Sequence, residues 1–201
     1  MRTILFASVA LALAACATGV TGPDAASRFD RFTVVTTKDF TGYERVHIPR
    51  PAVGPDVQER IGARTRGIRN DVRPLGQRDV DAMVDRLHRD MQSAVGEVVT
   101  LVEAPGPGVL TIKTTVIDLD SNRPTQQELA LEPSLSLQSL YAGESSIEFE
   151  FLENGELLAE ARDTDNVVSL QDQAIIGAGI WTTAQQHFRQ VSNKLAALLA
   201  R

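Results

Sequence analysis

The stretch SIEFEFLENGELLAEAR, residues 146–162, decides how the chain folds. Ile147, Phe149 and Phe151 alternate with Glu148 and Glu150, and the pattern resumes past Asn154-Gly155 at Leu157, Ala159 and Ala161. Alternation of period two belongs to a strand with one buried face, and Asn-Gly between two such runs marks a hairpin. A two-residue loop would set Phe149 opposite Glu160 and Ile147 opposite Arg162, which mixes the faces. A three-residue loop of Glu153, Asn154 and Gly155 pairs Leu152 with Glu156 and gathers the six apolar residues on one side. This register argument predicts a type I turn with a bulge at Gly155.

Upstream of the hairpin, Val109 to Leu119 is rich in Thr, Val and Ile, and Leu110, Ile112, Thr114 and Val116 would line its less polar face. The turn Pro105-Gly106-Pro107-Gly108 separates it from a shorter β run, Val98 to Val102. Asp79 to Val95 reads as a helix, because Val80, Met83, Val84, Leu87, Met91, Ala94 and Val95 recur at intervals of three and four. Gly96 stands where a helix stop belongs. Phe32 to Thr37 and Tyr43 to Ile48 read as strands, the second ended by Pro49 and Pro51. Residues 49–78 read as a long basic loop, and 120–143 are polar and proline-punctuated without a clear element. Downstream, Trp181, Ala184, Phe188, Val191, Leu195 and Leu198 form the seam of a helix from about Ile180 to Leu199, packed on the sheet in preference to a coiled coil. The expected fold is two-layer α+β: a largely antiparallel sheet of about five to six strands with two main helices on one face.

The N-terminus carries an address. Arg2 precedes an uncharged apolar run, Thr3 to Ala15, too short for a membrane span, which needs roughly 20 residues. It reads as an export signal. Leu13-Ala14-Ala15-Cys16 resembles the bacterial lipobox, which implies cleavage before Cys16 and acylation of its sulfur and new amino group. Each buried CH₂ is worth about 0.8 kcal/mol, so two or more chains give a stable anchor. Cys16 is the single cysteine, so no intrachain disulfide can form. Ala17, where Asp would signal inner-membrane retention, points to the outer membrane, with the domain facing the periplasm. The expected organisation is a signal peptide over 1–15, a lipidated cysteine and flexible tether over 16–28, and one domain over 29–201.

Charge and motifs exclude more than they propose. Without Arg2 the chain carries 19 basic and 26 acidic side chains, a formal −7 that disfavours nucleic acid. The eight arginines and three acids of residues 45–78 sum to +5 against −12 for the rest of the mature chain. Arg60, Arg64, Arg66, Arg69 and Arg73 are therefore candidates for contact with an anionic partner, lipid phosphate or acidic protein. His47, His88 and His187 have no partner at ligand spacing, and no H-E-x-x-H, G-x-S-x-G, S-x-x-K or phosphate loop is present. Gly143-Glu144-Ser145-Ser146 leads into a strand, not the helix that a nucleophile elbow needs. Asp118, Asp120 and Asn122 imitate the start of a calcium loop, but Arg123 and Leu129 occupy the positions that need Gly and Glu. Glu148/Glu150 and Asp163/Asp165 read as solvated acids on an exposed sheet face. No cofactor or metal is expected, and Ala174 to Trp181 reads as an apolar run buried at the start of the last helix.

Several short motifs carry a family resemblance: the lipobox, Asp39-Phe40-Thr41-Gly42-Tyr43-Glu44-Arg45-Val46, Ala104-Pro105-Gly106-Pro107-Gly108-Val109-Leu110, Thr115-Val116-Ile117-Asp118, Gly143 to Glu150, Asn154-Gly155-Glu156-Leu157-Leu158-Ala159, and a last helix bearing Trp. Together they resemble a family of Gram-negative lipoproteins of unknown function, the domain of unknown function numbered three-three-one-three. The Arg-rich insert and residues 121–142 depart from its pattern. The resemblance implies an outer-membrane lipoprotein and supplies no catalytic residue. The expected role is a noncatalytic, protein-binding accessory of the envelope. Alternatives are a carrier holding a small ligand or lipid between helix and sheet and, more remotely, an envelope hydrolase.

Overall fold

The computed structural model describes residues 23–63, 73–132, 134–136, 143–166 and 179–201. In chain order the elements are α1 (Pro23–Ala26), β1 (Arg31–Val34), β2 (Arg45–His47), β3 (Ala52–Val53), α2 (Pro55–Arg60), α3 (Gln77–Gly96), β4 (Thr100–Leu101), β5 (Leu110–Asp120), α4 (Gln126–Leu131), β6 (Glu144–Glu153), β7 (Glu156–Asn166) and α5 (Thr182–Leu199). They build a two-layer α+β fold. Seven strands form one sheet in the order β1-β7-β6-β5-β2-β4, with β3 also on β5. β1, β7, β6 and β5 are antiparallel, whereas β2 and β3 run parallel to β5 and β4 parallel to β2. The sheet is thus mixed, and wider than the sequence pattern indicates because β3, within the stretch read as a loop, is too short to show a period.

The Asn154-Gly155 turn corrects the expected register. Glu153 pairs with Glu156, so the loop has two residues, and φ is 52° at Asn154 and 84° at Gly155, as a type I′ turn requires. Uninterrupted, this loop would bury glutamates. The shift comes instead beyond the turn: Leu152 faces Leu157 but Phe151 faces Ala159, leaving Leu158 as the extra residue of a bulge. Phe149 consequently lies opposite Ala161, and Ile147, Phe149, Phe151, Ala159 and Ala161 are all buried on one face. The requirement for one apolar face is met, by a bulge in the strand and not in the loop.

Leu110, Ile112, Thr114 and Val116 of β5 continue that buried face, while Lys113, Glu150 and Glu160 stand exposed on the other. Helices α3 and α5 cover the apolar side. Val80, Met83, Val84, Leu87, Met91 and Val95 are the buried stripe of α3, and Ala184, Phe188, Val191, Leu195 and Leu198 that of α5. Each large side chain so buried contributes about 1.5–3 kcal/mol. Five phenylalanines (Phe29, Phe32, Phe40, Phe149 and Phe151) form a chain of ring contacts, centroids 5.2–6.0 Å apart, that closes the β1 side of the core. Gly96 is the last residue of α3 and not the residue after it.

Two stretches that lack a sequence pattern contain helices. Pro55 opens α2 at its first turn, where its missing N–H costs nothing. Thr125 opens α4: its side chain accepts from the Glu128 N–H, and Glu128 accepts from the Thr125 N–H, a complete capping box. α5 is capped from outside. Trp181 makes no side-chain cap bond there, but Asn122 Oδ1 accepts from the Thr183 N–H at 2.9 Å.

Candidate functional site

The apolar face of the β6–β7 hairpin turns polar at one end, following the same alternation. Ser145 precedes Ile147 on the inward side of β6, and Asp163 follows Ala161 on the inward side of β7. Above them α5 presents His187 and Lys194, two turns apart on one helix face. The four join in a line. Ser145 Oγ lies 2.6 Å from His187 Nδ1, His187 Nε2 lies 3.0 Å from Asp163 Oδ1, and Lys194 Nζ donates to Asp163 Oδ2 at 2.6 Å. With Asp163 ionised, the network assigns the ring proton to Nε2 and lets the Ser145 hydroxyl donate to Nδ1.

Burial pushes the Asp163 carboxyl up, but hydrogen bonds from His187 and Lys194 outweigh it and hold the group below its usual range. Asp165 is raised by burial, with Asp163 adding to the effect. The expectation that Asp163 and Asp165 form a solvated pair is corrected for Asp163, which is 2% exposed. The sequence signal was the parity itself, since the alternation that buries Ala159 and Ala161 must bury residue 163.

The order of groups is that of a Ser-His-Asp triad, but with the ring nitrogens exchanged: the triad's serine bonds Nε2 and its aspartate Nδ1, whereas Ser145 meets Nδ1 and Asp163 meets Nε2. Its setting differs: Ser145 and His187 are each 0% exposed, so the hydroxyl that would attack a substrate meets none without prior opening. Lys194 also takes the second Asp163 oxygen. As arranged, the four groups satisfy one another and pin α5 to the hairpin.

At the same end of the sheet, arginines meet acids. Arg60, the last residue of α2, donates to Asp118 at 3.0 Å, to the carbonyls of Arg73 and Leu119 at 2.8 and 3.1 Å, and to Asp120. Arg73 donates to the Ser121 carbonyl at 2.8 Å and lies 3.3 Å from Asp120 and 3.8 Å from Glu128. Their side chains are 11% and 7% exposed. Arg60 and Arg73, two of the candidates for contact with an anionic partner, are drawn inward by the carboxylates of Asp118 and Asp120 in β5 and, for Arg73, Glu128 in α4. Arg64, Arg66, Arg69 and Cys16 lie outside the described residues. Asp118 and Asp120, which imitate a calcium loop in sequence, are engaged by arginine, and Asn122 by Thr183. Glu144 nearby is raised by burial and by the charges of Asp118 and Asp120.

The remaining histidines have backbone partners, His47 Nδ1 with the Val102 carbonyl at 3.1 Å and His88 Nε2 with the Ile48 carbonyl at 3.0 Å. Of the run Ala174 to Trp181, residues 174–178 lie outside the described residues, and Trp181 is buried at the start of α5.

No curated protein matches the chain. Solved structures similar to it include a PelC dodecamer from Paraburkholderia phytofirmans, 11% identical with a TM-score of 0.40, covering 82% of this chain and 96% of that one. Another is protein XCC0632 from Xanthomonas campestris, of family DUF330, 12% identical with a TM-score of 0.42, covering 77% and 82%. Nothing about this chain's assembly or role follows from likenesses at that level. The family model is decisive: it matches residues 66–176, more than half of the 201 residues, and the chain belongs to the family described as Protein of unknown function (DUF3313).

Proposed function

We propose that the chain is a noncatalytic lipoprotein, held in the outer membrane by acyl chains on Cys16 and facing the periplasm, where it serves as a protein-binding accessory of the envelope. The sealing of Ser145, His187 and Asp163 carries the reading. The constellation most able to do hydrolysis spends its bonding capacity inside the core, so it serves as a fastening between α5 and the sheet. The anchor rests on the lipobox-like Leu13-Ala14-Ala15-Cys16. Phe149, Phe151, Phe188, Met91 and Leu195 fill the helix–sheet interface, which speaks against a carrier role there.

Crosslinking in intact cells followed by denaturing pull-down tests the role. A reproducible heteromeric adduct is the expected outcome, and repeated recovery of the monomer alone would count against it. Cys16→Ser is expected to abolish acyl labelling and release the protein from membranes; unchanged labelling would refute the anchor.

A further inference from the structure

The C-terminal ends of the two long helices open into one groove. Its volume is about 590 Å³, and Tyr43, Glu44, Glu97, Val98, Thr100 and Arg201 are among the residues that line it. Neither α3 nor α5 has a basic residue in its last turn. Each helix end therefore brings roughly half a negative charge, carried by its terminal carbonyls, with no cation of its own helix to offset it. Glu44 and Glu97 add two carboxylates. Glu97 has no ion pair among the described residues, and Val98 beside it is 42% exposed.

The groove already receives one cation. The Arg201 guanidinium donates to Glu44 Oε1 at 2.9 Å and to the Thr41 carbonyl at 3.3 Å. It reaches only the Glu44 side and remains 65% exposed. Glu97 and the helix ends stay unbalanced around an apolar wall of Val98 and Val99. A long side chain with a methylene stem and a charged head fits such a wall, the stem on valine and the head at the carboxylate.

We propose that this groove binds an arginine- or lysine-bearing segment of a partner protein. The inference rests on the accessory reading above and specifies the chemistry of the partner. A basic segment is favoured over a neutral apolar one because the groove's unbalanced charge is of one sign.

The test uses the full chain in detergent and, as probe, a fluorescein-labelled peptide of alternating arginine and glycine. Saturable binding is expected, weakening as salt is raised, with NMR amide shifts at Val98, Val99 and Thr100. An alternating glutamate–glycine peptide should not bind. Glu44→Gln with Glu97→Gln should weaken binding about tenfold, and Val98→Lys, which places a cation in the groove, should do the same. Unchanged affinity in both variants with native circular dichroism, or shifts confined to the Glu148–Glu150 sheet face, would overturn the proposal. Self-association of the chain abolished by these variants would make the occupant a second copy, and would also overturn it. In cells, a partner captured equally by wild type and the double variant sinks the groove and leaves the accessory role. Peptide binding in the groove with no partner captured does the reverse.

Discussion

Asn122 and Thr183, 61 positions apart, close on each other through two bonds: Asn122 Oδ1 accepts from the Thr183 N–H at 2.9 Å, and Asn122 Nδ2 donates to Thr183 Oγ1 at 2.7 Å. A side chain from the loop after β5 thus does for α5 what a local cap residue does elsewhere. Asn122→Ala should cost about 1–2 kcal/mol in urea unfolding, the range for a lost N-cap. Gly143 makes room for it, since a Cβ there would sit 2.5 Å from Asn122 Nδ2. Gly143→Ala should therefore destabilise by a similar amount, yet be close to neutral in an Asn122→Ala background. Additive effects would show that the two positions are not coupled.

Asp163 makes stability depend on acid. Its pKa is depressed in the folded chain, so its contribution is complete above the unfolded value and is lost as pH falls through the folded one. Asp163→Asn should cost about 3 kcal/mol at pH 7, because the charge is lost and the amide NH₂ meets one of the two donors, Lys194 or His187, in place of an acceptor oxygen. The gap between variant and wild type should narrow below about pH 4. A gap that is constant from pH 7 to pH 3 would contradict the assignment.

Arg60 and Arg50 offer a contrast in burial. Arg60, 11% exposed, pairs with Asp118 and Asp120, and Arg60→Met should cost about 3 kcal/mol, partly recovered by adding Asp120→Asn. Arg50 pairs with Asp81 and Asp85 at a site about half exposed, and Arg50→Met should cost under about 1 kcal/mol. Thermal denaturation of the four proteins side by side decides the matter.

Leu158 is the residue that lets a two-residue turn coexist with one apolar face. Its deletion should leave Phe151 opposite Ala159, detectable as cross-strand NMR contacts, because Leu157 would then run straight into Ala159. The cost should be about 2–4 kcal/mol, that of one buried leucine. Gly155→Ala, at φ 84°, should cost about 1 kcal/mol with the register intact.

How much of this was legible in sequence depends on the range of the interactions. The α3 and α5 stripes and the alternation in β5 and β6 repeat over ten residues or more, so local periodicity exposes them. The two-residue strand β3 has no period to read, and its parallel pairing with β5 leaves no hairpin signal, whereas β4 lies inside the Val98–Val102 run that the sequence shows. α4 was within reach: Thr125-Gln126-Gln127-Glu128 is a capping-box pattern hidden in a polar stretch. The bulge defeated register logic because that logic placed the extra residue in the loop, whereas sterics at Asn154 and Gly155 favour the tighter turn. Ser145, Asp163 and His187 come together only once that register is known, and Arg60 and Arg73 turn inward only because the carboxylates of β5 lie beneath them.

Because His187 is fully enclosed between α5 and the hairpin, its ring proton can trade with water only when that helix lifts away. The imidazole is thus a built-in reporter. A slowly exchanging downfield resonance from Nε2 would time the partings of the two layers, and any partner that clamps α5 should lengthen its lifetime without touching the ring.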